Sequence, residues 1–147
     1  MMGPRRLRDS EGAAIPEFIV IAVGVLIPLG YLIVAVSQVL AAQVAAHHAV
    51  REAGRVFVRD SAVLAGESRA REAANIAFAD RGLNLPAESL TFDCGTARCL
   101  EPGSSVRIEV MWNMPLPWMP APLGDVVDVP IRASQEFTVD SYRPAGV

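Results

Sequence analysis

Two cysteines, two adjacent histidines and an acid at the lip of an apolar run are the residues whose types and spacing invite chemistry in this chain. Cys94 and Cys99 are the only cysteines, with four residues between them in a loop-rich stretch. That spacing suits a local disulfide, which persists in an oxidising compartment and adds roughly 2 kcal/mol by loop entropy; a pair of reduced thiols is the alternative. A zinc site needs four ligands, and no residues nearby supply the missing pair. His47 and His48 would point about 100° apart on a helix, so they do not chelate one ion and read as interfacial polar residues. Asp125 and Asp128 form an acid pair, but they lie among loop and strand-face carboxylates. No G-x-S-x-G, H-E-x-x-H or P-loop pattern occurs. The expectation is therefore a non-catalytic protein without metal, cofactor or small-molecule substrate.

The elements that carry these residues follow from the distribution of charge. The chain has 147 residues, 52% of them apolar, a net charge of −3 and a mean hydropathy of +0.32. The apolar content excludes intrinsic disorder, and the acidic balance excludes a strongly basic nucleic-acid binder. All 13 basic residues are Arg, which reads as coding bias. From Phe18 to Val50 there is no Asp, Glu, Lys or Arg, whereas both flanks are rich in charge. Phe18–Val36 reads FIVIAVGVLIPLGYLIVAV. As a helix it would span about 28 Å at ~1.5 Å per residue, close to the thickness of a hydrocarbon core. Its Ile, Leu, Val and Phe residues gain on the order of 4–8 kcal/mol on insertion. Pro28, in mid-span, marks a bend or a hinge. Arg5, Arg6 and Arg8 precede the span and Arg51, Arg55 and Arg59 follow it. The first set lies nearer the apolar run, which favours an inside N-terminus, and the two cysteines on the far side agree with that.

Ala41, Ala42, Ala45 and Ala46 imitate a signal-peptide cleavage site, but helical periodicity runs straight through them. The other end of the run is Gly12-Ala13-Ala14-Ile15-Pro16-Glu17-Phe18, after a short Arg-bearing leader. This G-x-x-x-x-E-F arrangement resembles the prepilin processing motif of type IV pilins. Together with the juxtamembrane Ala49-Val50-Arg51-Glu52-Ala53-Gly54-Arg55, the chain resembles the TadE-like minor pilins or pseudopilins of tight-adherence (Flp, type IVb) pilus systems. The resemblance covers about residues 8–60 well and the tail weakly; Glu11 and Pro16 depart from the pattern. It implies cleavage by a prepilin peptidase between Gly12 and Ala13. Glu17 becomes the fifth-position acid, able to pair with the α-amine of a neighbouring subunit. It further implies other pilins and the pilus assembly platform as partners, with Glu17, Phe18, Pro28, Arg51, Arg55 and Trp118 as assembly residues. Read by itself, Glu17 is an interfacial acid at a helix N-terminus, with Pro16 in the tolerated first turn.

Beyond the span, Val39, Ala42, Ala46, Val50, Ala53 and Phe57 form one apolar stripe at helical spacing, and Arg51, Arg55 and Arg59 line another face. The Arg row is either solvated or set against lipid phosphates or an acidic partner. A second helix is expected over 61–81, with Glu67 and Arg71 as an i,i+4 pair, Gly82 as its left-handed cap, and Val63, Ala70, Ala74, Ala77 and Phe78 buried. After Pro86 the period becomes two. Leu90–Cys94, Val106–Trp112 and Val127–Asp140 read as strands, and Pro130 places the last at an edge or a bend. Between the last two lies a Pro-rich arm with Trp118, Met119 and Leu123, packed on the chain's own sheet or on a partner.

The expected architecture is α+β: a long N-terminal transmembrane helix extended by an amphipathic stalk, a second helix, then a small antiparallel sheet of about three strands. The segments are a leader (1–12), the membrane helix (13–46), the stalk (47–82) and a β-rich extracytoplasmic region (83–147). The functional expectation is a single-pass inner-membrane minor pilin with a cytoplasmic N-terminus, incorporated into a surface pilus or retained in the membrane. The alternative is a single-span anchored binding protein unrelated to pili. Membrane lipid is a partner in both, and nucleic acid in neither.

Overall fold

The first stretch rich in Ala, Leu, Ile and Val forms one long helix. In the computed structural model, which describes residues 14–95, 98–116 and 128–142, α1 covers Ala14–Phe57. Pro28 is its one proline beyond the first turn and does not end it. The chain divides into two compact units, Met1–Val36 and Ser37–Val147.

Within the second unit, α1 ends where the Asp60 amide bonds back to the Phe57 carbonyl at 3.1 Å. Helix α2 follows over Val63–Ala79, two residues shorter at each end than its periodicity suggests. Its C-terminus closes as a Schellman turn: Gly82 sits at φ 68°, its amide donates to Ala79 O at 2.9 Å, and that of Leu83 donates to Phe78 O at 3.0 Å. A short 3-10 turn, Ala87–Ser89, leads into β1 (Leu90–Asp93), β2 (Ser105–Pro115) and β3 (Asp128–Thr138). These make one antiparallel three-stranded sheet in the order β1-β2-β3. The expected α+β architecture is therefore present.

The sheet register follows from alternation, since a one-residue slip would turn every apolar side chain to water. Val106, Ile108, Val110 and Met114 are buried on β2, and Ile131 and Ala133 on β3. Val110 stands opposite both Leu90 and Ala133, and Trp112 opposite Ile131. The expected stripe of α1 meets this face: Ala42, Ala46, Val50, Ala53 and Phe57 are buried, and Val39 packs against the cluster. Ring contacts knit the layers, Phe57 to Phe92 at 4.9 Å and Phe78 edge-on to Trp112 at 5.5 Å.

Three local expectations change. Val63 lies at the surface, and Gly66 takes its place on the buried face of α2, against Phe57 and Asp60. Ala77 is only partly buried. Arg71 turns from Glu67 to the carbonyls of Ala87 and Leu90, the latter at 2.8 Å, with its guanidinium 5.3 Å from the Phe92 ring centre. Two carbonyl acceptors and an aromatic face together outbid a single helical ion pair worth only a few tenths of a kcal/mol. Pro130 does fall on an edge strand. Trp118, Met119, Leu123 and the rest of the Pro-rich arm after Leu116 lie outside the described residues.

Candidate functional site

The first unit presents an apolar rod. Glu17 sits in the first turn of α1, exposed, beside Phe18. Phe18 is 72% exposed, Leu26 63% and Ile27 66%, and the pattern continues to Val36 with Ala35 as its one buried residue. A helix apolar all round belongs in lipid or among other helices, because water cannot cover it at acceptable cost. Among the described residues this is the one helix long and apolar enough to cross a membrane. Pro28 is exposed within it, and neither Gly24 nor Gly30 meets another atom where a Cβ would stand. Of the processing residues, Gly12 and Ala13 lie outside the described part.

The polar flank belongs to the second unit. His47, His48, Arg51, Glu52 and Arg55 are exposed on α1, opposite its buried stripe. Arg55 lies 3.6 Å from Glu52 with both side chains about half in water or more, so this pair contributes little to stability. Beside them His48 and Glu52 of α1, Ile76 of α2, and Asp80 and Arg81 just beyond its end line a shallow groove of about 310 Å³. No group of three or more His, Cys, Asp or Glu able to hold a metal ion exists among the described residues.

What fixes this flank is partly invisible in the sequence pattern. Gly54, inside the Arg-Glu-Ala-Gly-Arg run, lies against Phe137 of β3 so closely that a Cβ there would stand 2.1 Å from the ring. The missing side chain lets helix and sheet touch. At the α1–α2 corner, Asp60 has a side chain only 5% exposed. Its Oδ1 accepts the amides of Ser61 (2.8 Å) and Ala62 (3.4 Å), and its Oδ2 accepts Arg69 Nη1 at 2.6 Å. Burial pushes the Asp60 carboxyl up, but the Ala62 and Ser61 amides and the Arg69 guanidinium outweigh it, and the net shift is below the usual carboxylate range. Asp60 holds the turn ahead of α2 and does not cap it, since the N-cap position is Ala62; an Asp just before the expected helix start was the available signal for it. Glycine gives no hydropathy signal, so Gly54 had none.

A disulfide joins Cys94 to Cys99 with Cα atoms 5.0 Å apart. Next to Cys94, Gly95 sits at φ 59° and its amide donates to Asp93 Oδ1 at 2.9 Å. Ser104 Oγ donates to the Glu101 carbonyl at 2.7 Å.

The fold and site thus define a class: a small α+β unit on a chain whose N-terminal helix suits a single membrane span. Comparison with protein-family models, with curated proteins and with solved structures returns no match.

Proposed function

We propose that this chain is a non-catalytic minor pilin or pseudopilin of the TadE-like kind, taking part in assembly of a tight-adherence (Flp, type IVb) pilus. The observation that carries the reading is the exposed apolar helix from Phe18 to Val36, headed by Glu17 and preceded by Gly12 at the spacing of a prepilin leader. Such a rod is covered first by lipid and then by the helices of neighbouring pilins. Glu17, costly inside an apolar layer unless paired, meets the amine freed at Ala13 of an adjacent subunit. The N-terminus faces the cytoplasm, where the peptidase removes residues 1–12. The sheet and the Cys94–Cys99 bond face an oxidising compartment. Arg51 and Arg55, just outside the apolar layer, meet lipid phosphates or acidic side chains of other pilins.

Intact mass and N-terminal sequencing of the membrane-extracted protein test this directly. A start at Ala13, lost in Gly12→Ala, is the expected outcome. An uncut chain whose mass the substitution does not alter by processing points to a plain single-span anchor, and a start near residue 46 points to ordinary secretion.

A further inference from the structure

β3 is the long outer strand of the sheet: β2 pairs with it on one side, and no described residue pairs with it on the other. Pro130 stands opposite Asn113. Lacking an N–H, proline fits there only if that pair directs its hydrogen-bonding groups away from each other. Alternation then turns the backbone N–H and C=O groups of Asp128, Arg132, Ser134, Glu136 and Thr138 outward, and the side chains of these residues are exposed as well. An open edge of this length is a template for another strand.

Charge selects the strand. Arg132 and Glu136 lie symmetrically about Ser134. When two β3 strands pair antiparallel about Ser134, Arg132 of each copy falls opposite Glu136 of the other. Each Glu136 already has Arg107 across β2, at 3.8 Å, so the pairing completes an Arg–Glu–Arg row, twice, on the exposed face. A centre at Arg132 or Glu136 puts that residue opposite its own copy. A centre at Pro130 places two residues without N–H groups at the middle of the ladder. Centres at 133 and 135 pair no opposite charges. We propose that β3 is a self-association edge, through which two copies of this chain pair antiparallel about Ser134 over residues 130–138. Pro130 removes one bond at each end of that ladder, so the association needs the high local concentration of a membrane or a fibre. It stands independently of leader cleavage.

The test uses the full chain in phosphatidylcholine vesicles. Directly opposite residues of a hydrogen-bonded pair have Cα atoms about 5.5 Å apart, within disulfide range. Ser134→Cys therefore gives a covalent dimer on oxidation, whereas Thr138→Cys, facing Pro130 of the other copy, does not. In the Ser134→Cys background, Arg132→Glu alone and Glu136→Arg alone each set two like-charge pairs opposite and lower the yield about tenfold. Mixing these two chains, one tagged, makes both pairs complementary and restores the cross-link, which also shows that each variant is folded. Equal cross-linking at 134 and 138, or a mixture that does not recover, overturns the proposal. So does a cross-link to a chain of another mass, which would give the edge to a foreign strand.

Discussion

Phe18–Val36 and Ala42–Phe57 belong to one helix and obey opposite rules. In the first, nearly every position is apolar and nearly every side chain is exposed; in the second, the apolar residues keep to one stripe and that stripe is buried. The amount of apolar surface says only that water must be excluded. Its angular spread says what does the excluding. A helix with one apolar face finds its cover within the chain, here Phe78, Leu90, Ile108 and Ile131. A helix apolar on all faces has to take its cover from lipid or from other molecules.

The largest effect separating the two stretches comes from truncating one large side chain in each. Phe57 is fully buried, so Phe57→Ala is expected to cost about 3–5 kcal/mol of unfolding free energy. Leu29, 48% exposed, is not part of the core formed by the described residues, and Leu29→Ala leaves the same transition in place. Denaturant unfolding of the detergent-solubilised chain, followed by tryptophan fluorescence, reads both. Equal losses would erase the distinction between the stretches.

Next comes Gly54. A methyl group there collides with the Phe137 ring, and pushing the ring out costs about 1–3 kcal/mol. In a Phe137→Ala background the collision is gone, and Gly54→Ala becomes neutral or gains up to about 1 kcal/mol from helix propensity. A double-mutant cycle with no coupling between 54 and 137 would show that helix and sheet do not meet there.

How much of this was legible depended on whether the signal resided in a side chain's polarity or in its absence. The apolar span, the stripe ending at Phe57 and the alternation of Val106, Ile108 and Val110 each announce themselves, because burial and period-two or period-3.6 spacing come from the same cause; Gly82 was legible for another reason, its place at the end of a helical pattern. Gly54 and Gly66 carry no hydropathy, and their roles exist only once a ring or a carboxylate arrives from elsewhere in the fold. Arg71 was legible as a charge four residues from Glu67, but its carbonyl partners lie 16 and 19 residues away. Of the residues proposed for assembly, Glu17, Phe18, Pro28, Arg51 and Arg55 are all exposed. A surface that acts only against other molecules leaves no packing by which one chain could reveal it.

The disulfide tests the sheet end of the second region. Replacing Cys94 and Cys99 together by Ser opens a short loop and is expected to cost about 2 kcal/mol. Since Ser104, Gly103 and Val139 tie the neighbouring backbone independently, the fold survives the change. Dithiothreitol lowers the wild-type midpoint by the same amount and does not move that of the double variant; a shift in both would place the effect elsewhere.

The smallest effect is the most sharply signed. Asp60 titrates below its ordinary value in the folded chain because the Ser61 and Ala62 amides and Arg69 favour the carboxylate over the opposing pull of burial. A depressed carboxyl stabilises the fold above its unfolded pKa of about 3.9, and that contribution drains away as pH falls through the lower folded value. Asp60→Asn keeps an oxygen for the two amides but loses the charge that holds Arg69. The stability gap between wild type and Asp60→Asn is therefore flat from pH 8 to about 5 and narrows below about pH 4. Because Arg69 is two-thirds exposed, added salt narrows it at neutral pH too. Phe57→Ala, which removes no charge, keeps the same gap at every pH. A gap for Asp60→Asn that widens in acid would mean the buried carboxyl is held against its will at this corner, and that the turn joining the two helices is strained rather than latched.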